Sequence, residues 1–399
     1  MAKRPSKAAD MALAQGLMAG APQPEADSLD ASPRPTSLSE IIGHTGPVSL
    51  LRQAMASGRM HHAWIFYGPP GVGKMSTAQA LAAELMLPAG DHPLREVVRQ
   101  QLITGNYPDL HVISKELAAI SREKTINKSK QSVIPVAVIE EFLLEPAALS
   151  RTVDTGTRIG KVFVVDEADL MDTRTQNQVL KTLEEPPDGT LIILVSSSEH
   201  ELLPTIRSRC QRVGFAPLSA QALEAWVQAR GLDLEGAGAL AGQRQWLLAY
   251  GQGSPGQLIS AMQNQLFAWH QQLDAPLTAL GTPGKAGLGG GLSALMTRLV
   301  EERAAAWVEG HPLRSKDAAN RLWLRRLLAF VAERTRRQLS QSARLGDGAR
   351  CERLATWLDH LDHAEGLIDR NVFVAPILDN LVAQMASGTP ALPGHVLVR

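Results

Sequence analysis

The segment Gly68-Pro69-Pro70-Gly71-Val72-Gly73-Lys74 constrains this chain more than any other. It follows the apolar run Ala63-Trp64-Ile65-Phe66-Tyr67 and precedes a helical stretch, Thr77-Ala78-Gln79-Ala80-Leu81-Ala82-Ala83-Glu84-Leu85. A buried strand, a glycine-rich loop and a helix in that order make a phosphate-binding P-loop. The glycines let the backbone curl so that successive N–H groups surround an anion, and the helix N-terminus adds a favourable dipole. The expected cofactor-binding residues are therefore Gly68, Pro69, Pro70, Gly71, Val72, Gly73, Lys74 and Met75, with Lys74 reaching the β- and γ-phosphates. A plain tight turn is the other reading, and spacing and context together favour the phosphate loop.

The next position breaks the pattern. Ser or Thr there would ligate Mg²⁺ through its hydroxyl, whereas this chain carries Met75. A thioether is a soft ligand, poorly matched to a hard cation that takes oxygen. Ser76 and Thr77 follow, but one step along a helix turns a side chain by roughly 100°. The expectation is a degenerate ATP/Mg site. Val162-Phe163-Val164-Val165-Asp166-Glu167-Ala168-Asp169 supplies a second element, an apolar strand ending in acids. Asp166 is the expected Mg²⁺-side residue, and Glu167 would polarise an attacking water if the site is active. A solvated acidic strand end is the alternative.

Further apolar runs, Leu110–Ile113 and Leu191–Val195, alternate with helical patterns. Continuous apolar strands between helices predict a parallel sheet covered on both faces. Strand signals end after Pro217. Residues 218–265 read as short helices, 266–291 as a linker or hinge containing a Gly/Pro-rich break, and 292–399 as helix-periodic throughout. Residues 1–36, rich in Ala, Pro, Ser and Asp, read as a disordered tail.

Charge and cysteine content narrow the function. Forty basic residues balance forty acidic ones, so nucleic-acid contact requires a local patch. The 4% aromatic content disfavours strand binding on rows of stacked rings. Cys210 and Cys351 are the only two cysteines, too few for a four-thiolate zinc module, and they suit a reducing cytoplasm. No apolar run reaches the ~18 residues of a membrane span. The basic start, Met1-Ala2-Lys3-Arg4-Pro5, lacks the apolar region of a secretory signal.

Three segments then carry a resemblance. His62–Lys74, Asn177-Gln178-Val179-Leu180-Lys181-Thr182-Leu183-Glu184-Glu185-Pro186-Pro187 and Leu203-Pro204-Thr205-Ile206-Arg207-Ser208-Arg209-Cys210-Gln211 together resemble bacterial clamp-loader AAA+ subunits over residues 38–260. The resemblance implies an α/β fold: an AAA+ P-loop domain (37–217), a small helical lid (218–265) and an all-helical C-terminal collar for oligomerisation (292–399). It implies that Arg209 acts in trans on the ATP of a neighbouring subunit. It places Ser196, Ser197 and Ser198 where the family has a γ-phosphate sensor, and a strand-end cap is the equal alternative. Cys210 is read as a small buried hydrophobe. The family's cysteine-bearing insert corresponds to His92–Leu102, which lacks cysteine, so a helical insert without zinc is expected.

The family's motor subunits resemble one another in carrying Gly-Lys-Thr or Gly-Lys-Ser and a lid arginine after Gly-Ser-x. Here Met75 replaces the hydroxyl, and Gly253-Ser254-Pro255-Gly256-Gln257 has no arginine. Both departures point to a stator of the DNA polymerase III clamp loader. Its expected partners are gamma/tau motor subunits, the clamp-opening delta subunit, the sliding clamp and primed DNA, with no membrane. The alternatives are a gamma/tau-like ATPase motor using Lys74, Asp166 and Glu167 itself, and a stand-alone AAA+ protein of DNA repair. No polymerase motif is present. Two basic clusters are candidates for phosphate contact: Lys115, Arg122, Lys124, Lys128 and Lys130, and a C-terminal group of Arg314, Lys316, Arg321, Arg325, Arg326, Arg334, Arg336, Arg337 and Arg344. Solvated faces and ion pairs are the commoner use of such runs.

Overall fold

The structure, a computed structural model, describes residues 34–126, 133–235, 242–280, 289–310, 315–368 and 373–387. The chain divides into two compact units, 1–263 and 264–399.

The first unit is built on strands β1 (Ala63–Tyr67), β2 (Leu110–Ile113), β3 (Lys161–Val165), β4 (Thr190–Ser196) and β5 (Gln211–Gly214). They form one sheet in the order β2-β3-β4-β1-β5, and every pairing is parallel. Parallel neighbours require crossovers. Helix α1 (Thr45–Ala56) precedes the first strand, while the crossovers include α2 (Lys74–Met86) and α3 (Arg95–Thr104) before β2, α4 (Thr173–Glu184) before β4 and α5 (Pro204–Arg207) before β5. Strand side chains alternate between two buried clusters. Trp64, Phe66, Val162, Val164, Leu191 and Ile193 join the helix α2 side, whereas Ile65, Phe163, Val165, Ile192 and Leu194 pack with Val179 and Leu183 of α4.

The four strands expected from apolar runs are present. β5 was not expected: it shows a single buried residue, Val213, and pairs only with β1 at the sheet edge. The cysteine-free insert is helical, as α3. Of the segment read as a tail, residues 1–33 lie outside the described residues, and the Arg34 backbone N–H donates to the Ile103 carbonyl at the end of α3. Ser37 Oγ and the Leu38 N–H both donate to Glu84 of α2. The lid helices α6 (Ala220–Ala229), α7 (Gln243–Gly251) and α8 (Pro255–Gln263) complete this unit.

The second unit contains α9 (Leu266–Leu280), α10 (Gly289–Gly310), α11 (Lys316–Arg344), α12 (Gly348–Ile368) and α13 (Val374–Ser387). Here the sequence expectation needs correction, since α9 lies within the segment read as linker. Leu266, Trp269, Leu273, Leu277 and Leu280 recur at helical spacing and are buried, and that burial outweighs the internal Pro276. The glycines at 281–288 lie outside the described residues. No described helix is long and apolar enough to cross a membrane.

Candidate functional site

β1 delivers the chain into the loop, where Gly68, Gly71 and Gly73 adopt φ values of 143°, 74° and 112°. L side chains avoid these values. A Cβ on Gly68 would also lie 2.0 Å from the Phe215 carbonyl oxygen. Three donors grip the loop from outside. Ser254 Oγ donates to the Pro70 carbonyl at 3.1 Å, the Gly256 N–H to Gly71 at 2.8 Å, and His44 Nε2 to Val72 at 2.7 Å. In a trans peptide the C=O and N–H point in opposite directions. The N–H groups of Gly71, Val72 and Gly73 therefore face the opposite side of the loop, as in an anion-binding nest. Burial holds the His44 imidazole below its usual pKa, with the Val72 carbonyl opposing, so the neutral ring serves as the donor.

Lys74 is buried and folds back on the loop, donating to the Gly68 and Pro69 carbonyls at 2.6 and 2.7 Å. Burial lowers its pKa, and the nearby Asp166 and Asp169 carboxylates oppose the shift. The phosphate half of an ATP/Mg site thus has its donors. The metal half does not fit. Met75 packs against the core cluster on the α2 side, and the fully buried Thr77 hydroxyl donates to the Gly73 carbonyl at 2.9 Å. The Thr77 hydroxyl is thus committed to its own helix, and the residue after Lys74 offers a thioether.

Asp166 follows β3 and accepts the Glu167 N–H at 3.0 Å; burial raises its pKa and that bond opposes the rise. Glu167 has a left-handed φ of 49°, and its carboxylate pairs with Lys115 Nζ at 2.7 Å. Asp169 accepts both the Ser197 N–H at 3.1 Å and the Ser197 hydroxyl at 2.7 Å. Burial alone would raise the Asp169 pKa, but these bonds hold it below the usual range. Among the three serines, Ser197 holds the acidic strand end through both its N–H and its hydroxyl, and Ser196 also contributes to lowering the Asp169 pKa. The Ser196 hydroxyl donates to the Ser198 carbonyl, and the Ser198 hydroxyl caps the following turn.

Arg209 stands apart from this loop. It follows α5 between the buried Ile206 and Cys210, the latter with its thiol pushed up to about 12 by burial. The guanidinium meets Glu184 Oε1 through Nη2 at 2.7 Å and the Thr205 carbonyl through Nη1 at 3.0 Å. Sequence reasoning missed three residues here: His44, Ser254 and Glu184. Ser254 and Glu184 lay inside segments already singled out, and His44 did not; Ser254 is 184 positions from its partner and His44 28.

The two basic clusters are largely engaged in ion pairs and packing. Lys115 pairs with Glu167, and Arg122 with Glu141 and Glu145. In the second unit Arg334 is buried against Asp274, Arg337 pairs with Glu333, and Arg326 lies over the Trp323 ring. Lys128, Lys130 and Arg314 lie outside the described residues.

A parallel sheet in this strand order, a P-loop at the end of its β1, an acidic end on β3 and a helical lid define an AAA+ domain. Residues 43–219 match the family model described as DNA polymerase III, delta subunit. The chain is 37% identical over 198 residues to the Pseudomonas aeruginosa DNA polymerase III subunit delta', covering 49% of this chain and 53% of that protein. It is 31% identical over 179 residues to the Bacillus subtilis subunit delta', covering 44% and 49%. With the Mycobacterium tuberculosis subunit gamma/tau it shares 28% identity over 238 residues, covering 59% and 38%. The chain thus spans about half the length of the delta' relatives it matches. Over residues 43–219 the chain is therefore similar to DNA polymerase III subunits.

Proposed function

We propose that this chain is a delta-prime-type subunit of a bacterial DNA polymerase III clamp loader, acting as a stator in the cytoplasm. In this reading it presents Arg209 to the ATP site of a neighbouring gamma/tau motor subunit and touches the clamp-opening delta subunit. The assembled complex places the sliding clamp on primed DNA. The observation that carries the reading is Met75, whose half-buried side chain packs against the core cluster at the position where a motor needs a metal-binding hydroxyl. The pairing of Glu167 with Lys115 and the absence of an arginine in Gly253–Gln257 support it. A guanidinium suits the trans role because its fork stays charged and donates to several phosphate oxygens. Supplied in trans, it is worth roughly 10³–10⁵ in rate.

A second reading, a gamma/tau-like motor, draws on the gripped loop and the half-buried Asp166. Mg-ATP hydrolysis by the purified chain separates the two. The stator reading expects no turnover from the chain alone. Turnover that is lost in Lys74→Ala contradicts it.

A further inference from the structure

We infer that Glu184 is a positioning residue that sets the direction of the Arg209 guanidinium; the inference rests on the proposed role of Arg209 in trans. Glu184 is the last residue of α4, where an acid faces the negative end of the helix dipole and is least favoured. Its carboxylate is placed there with a rigid backbone. The preceding Leu183 is buried, and its carbonyl accepts His62 Nε2 at 2.9 Å, which ties the end of α4 to the residue before β1.

Arg209 is held just as firmly at its root, between the buried Ile206 and Cys210. Only its guanidinium projects, and three acceptors fix that group: Glu184 Oε1 at 2.7 Å, the Thr205 carbonyl at 3.0 Å and Ser208 Oγ at 3.4 Å. Two of the three are local to the arginine's own turn. Glu184 alone comes from another element and therefore determines which way the fork faces. The side chains are 37% and 49% exposed, so solvent screening leaves the pair little weight in stability. Its consequence is orientation. An arginine that must meet developing charge on a neighbour's phosphoryl group works only if it is aimed before the reaction.

The test measures the ATPase activity that the chain adds to a gamma/tau motor subunit in the reconstituted complex. Glu184→Ala is expected to lower the added kcat by roughly tenfold while the KM for ATP stays within about twofold, because the loss is one of alignment in the transition state. Glu184→Gln keeps the acceptor oxygen and is expected to recover most of the rate. The double variant Glu184→Ala/Arg209→Ala is expected to be no slower than Arg209→Ala, since the carboxylate acts only through the arginine. A wild-type rate in Glu184→Ala beside a slow Arg209→Ala overturns the inference and leaves the role of Arg209 standing. A further loss on the Arg209→Ala background overturns it also, as a merely structural effect. A wild-type rate in Arg209→Ala overturns both.

Discussion

Gly256 at the start of α8 donates its backbone N–H to the carbonyl of Gly71 in the phosphate loop at 2.8 Å. The two backbones are so close that a Cβ on Gly256 would stand 2.8 Å from the Gly71 Cα. The lid therefore rests directly on the loop, main chain against main chain.

That contact makes Gly256→Ala a sharp probe. The added methyl must push α8 off the loop, at a cost of about 1–3 kcal/mol. Amide hydrogen exchange should quicken across Gly71–Lys74. Gly366, in α12 with open space around it, is the control. Gly366→Ala should stabilise by about 0.5–1 kcal/mol through backbone entropy and helix propensity.

Met75→Ser restores the hydroxyl and removes half-buried apolar surface from the core cluster. A loss of about 1–2 kcal/mol is expected in denaturant titration. Mg-ATP turnover should stay absent, because Glu167 remains paired with Lys115.

In the second unit Arg334 donates through Nε to Asp274 Oδ1 at 2.9 Å and through Nη2 to the Thr278 hydroxyl at 2.7 Å. It is 8% exposed. Arg334→Ala should cost about 2–4 kcal/mol in thermal unfolding, less than a fully buried pair because Asp274 stays half exposed. DNA binding by the complex should not change through this residue.

Acid should destabilise the α/β unit through His111. Burial beside Phe163 lowers its pKa to about 4, with Asp109 opposing and Lys161 adding to the shift. The unfolded chain, titrating near the ordinary value of about 6.5, then binds the proton more readily. Stability is full above that pH and falls as pH drops toward 4, by about 3 kcal/mol at most. In His111→Leu, unfolding measured between these limits should show a flatter pH dependence.

Much of this was legible in the sequence because the decisive features are local. The loop glycines, the apolar strands and Met75 each announce themselves within a few residues. β5 was not legible, since an edge strand with one buried residue has no hydrophobic run to display. Helix α9 was obscured by Pro276, although its leucines follow helical spacing. The pairing of Arg209 with Glu184 and the grip of His44 and Ser254 on the loop join positions far apart in the chain. Only the crossing of strands brings them together. Which arginines of the basic run on α11 are committed to ion pairs was not legible for a related reason: charge counts do not show that Arg334 turns inward to Asp274.

In the proposed function Arg209 works on another subunit's ATP while this chain's own loop does not turn over. The most direct test is the ATPase rate of a gamma/tau motor subunit mixed with the wild-type chain or with Arg209→Ala. The account predicts stimulation by the wild type and its loss in the variant, with both chains assembling equally. Equal stimulation by the two chains would contradict it.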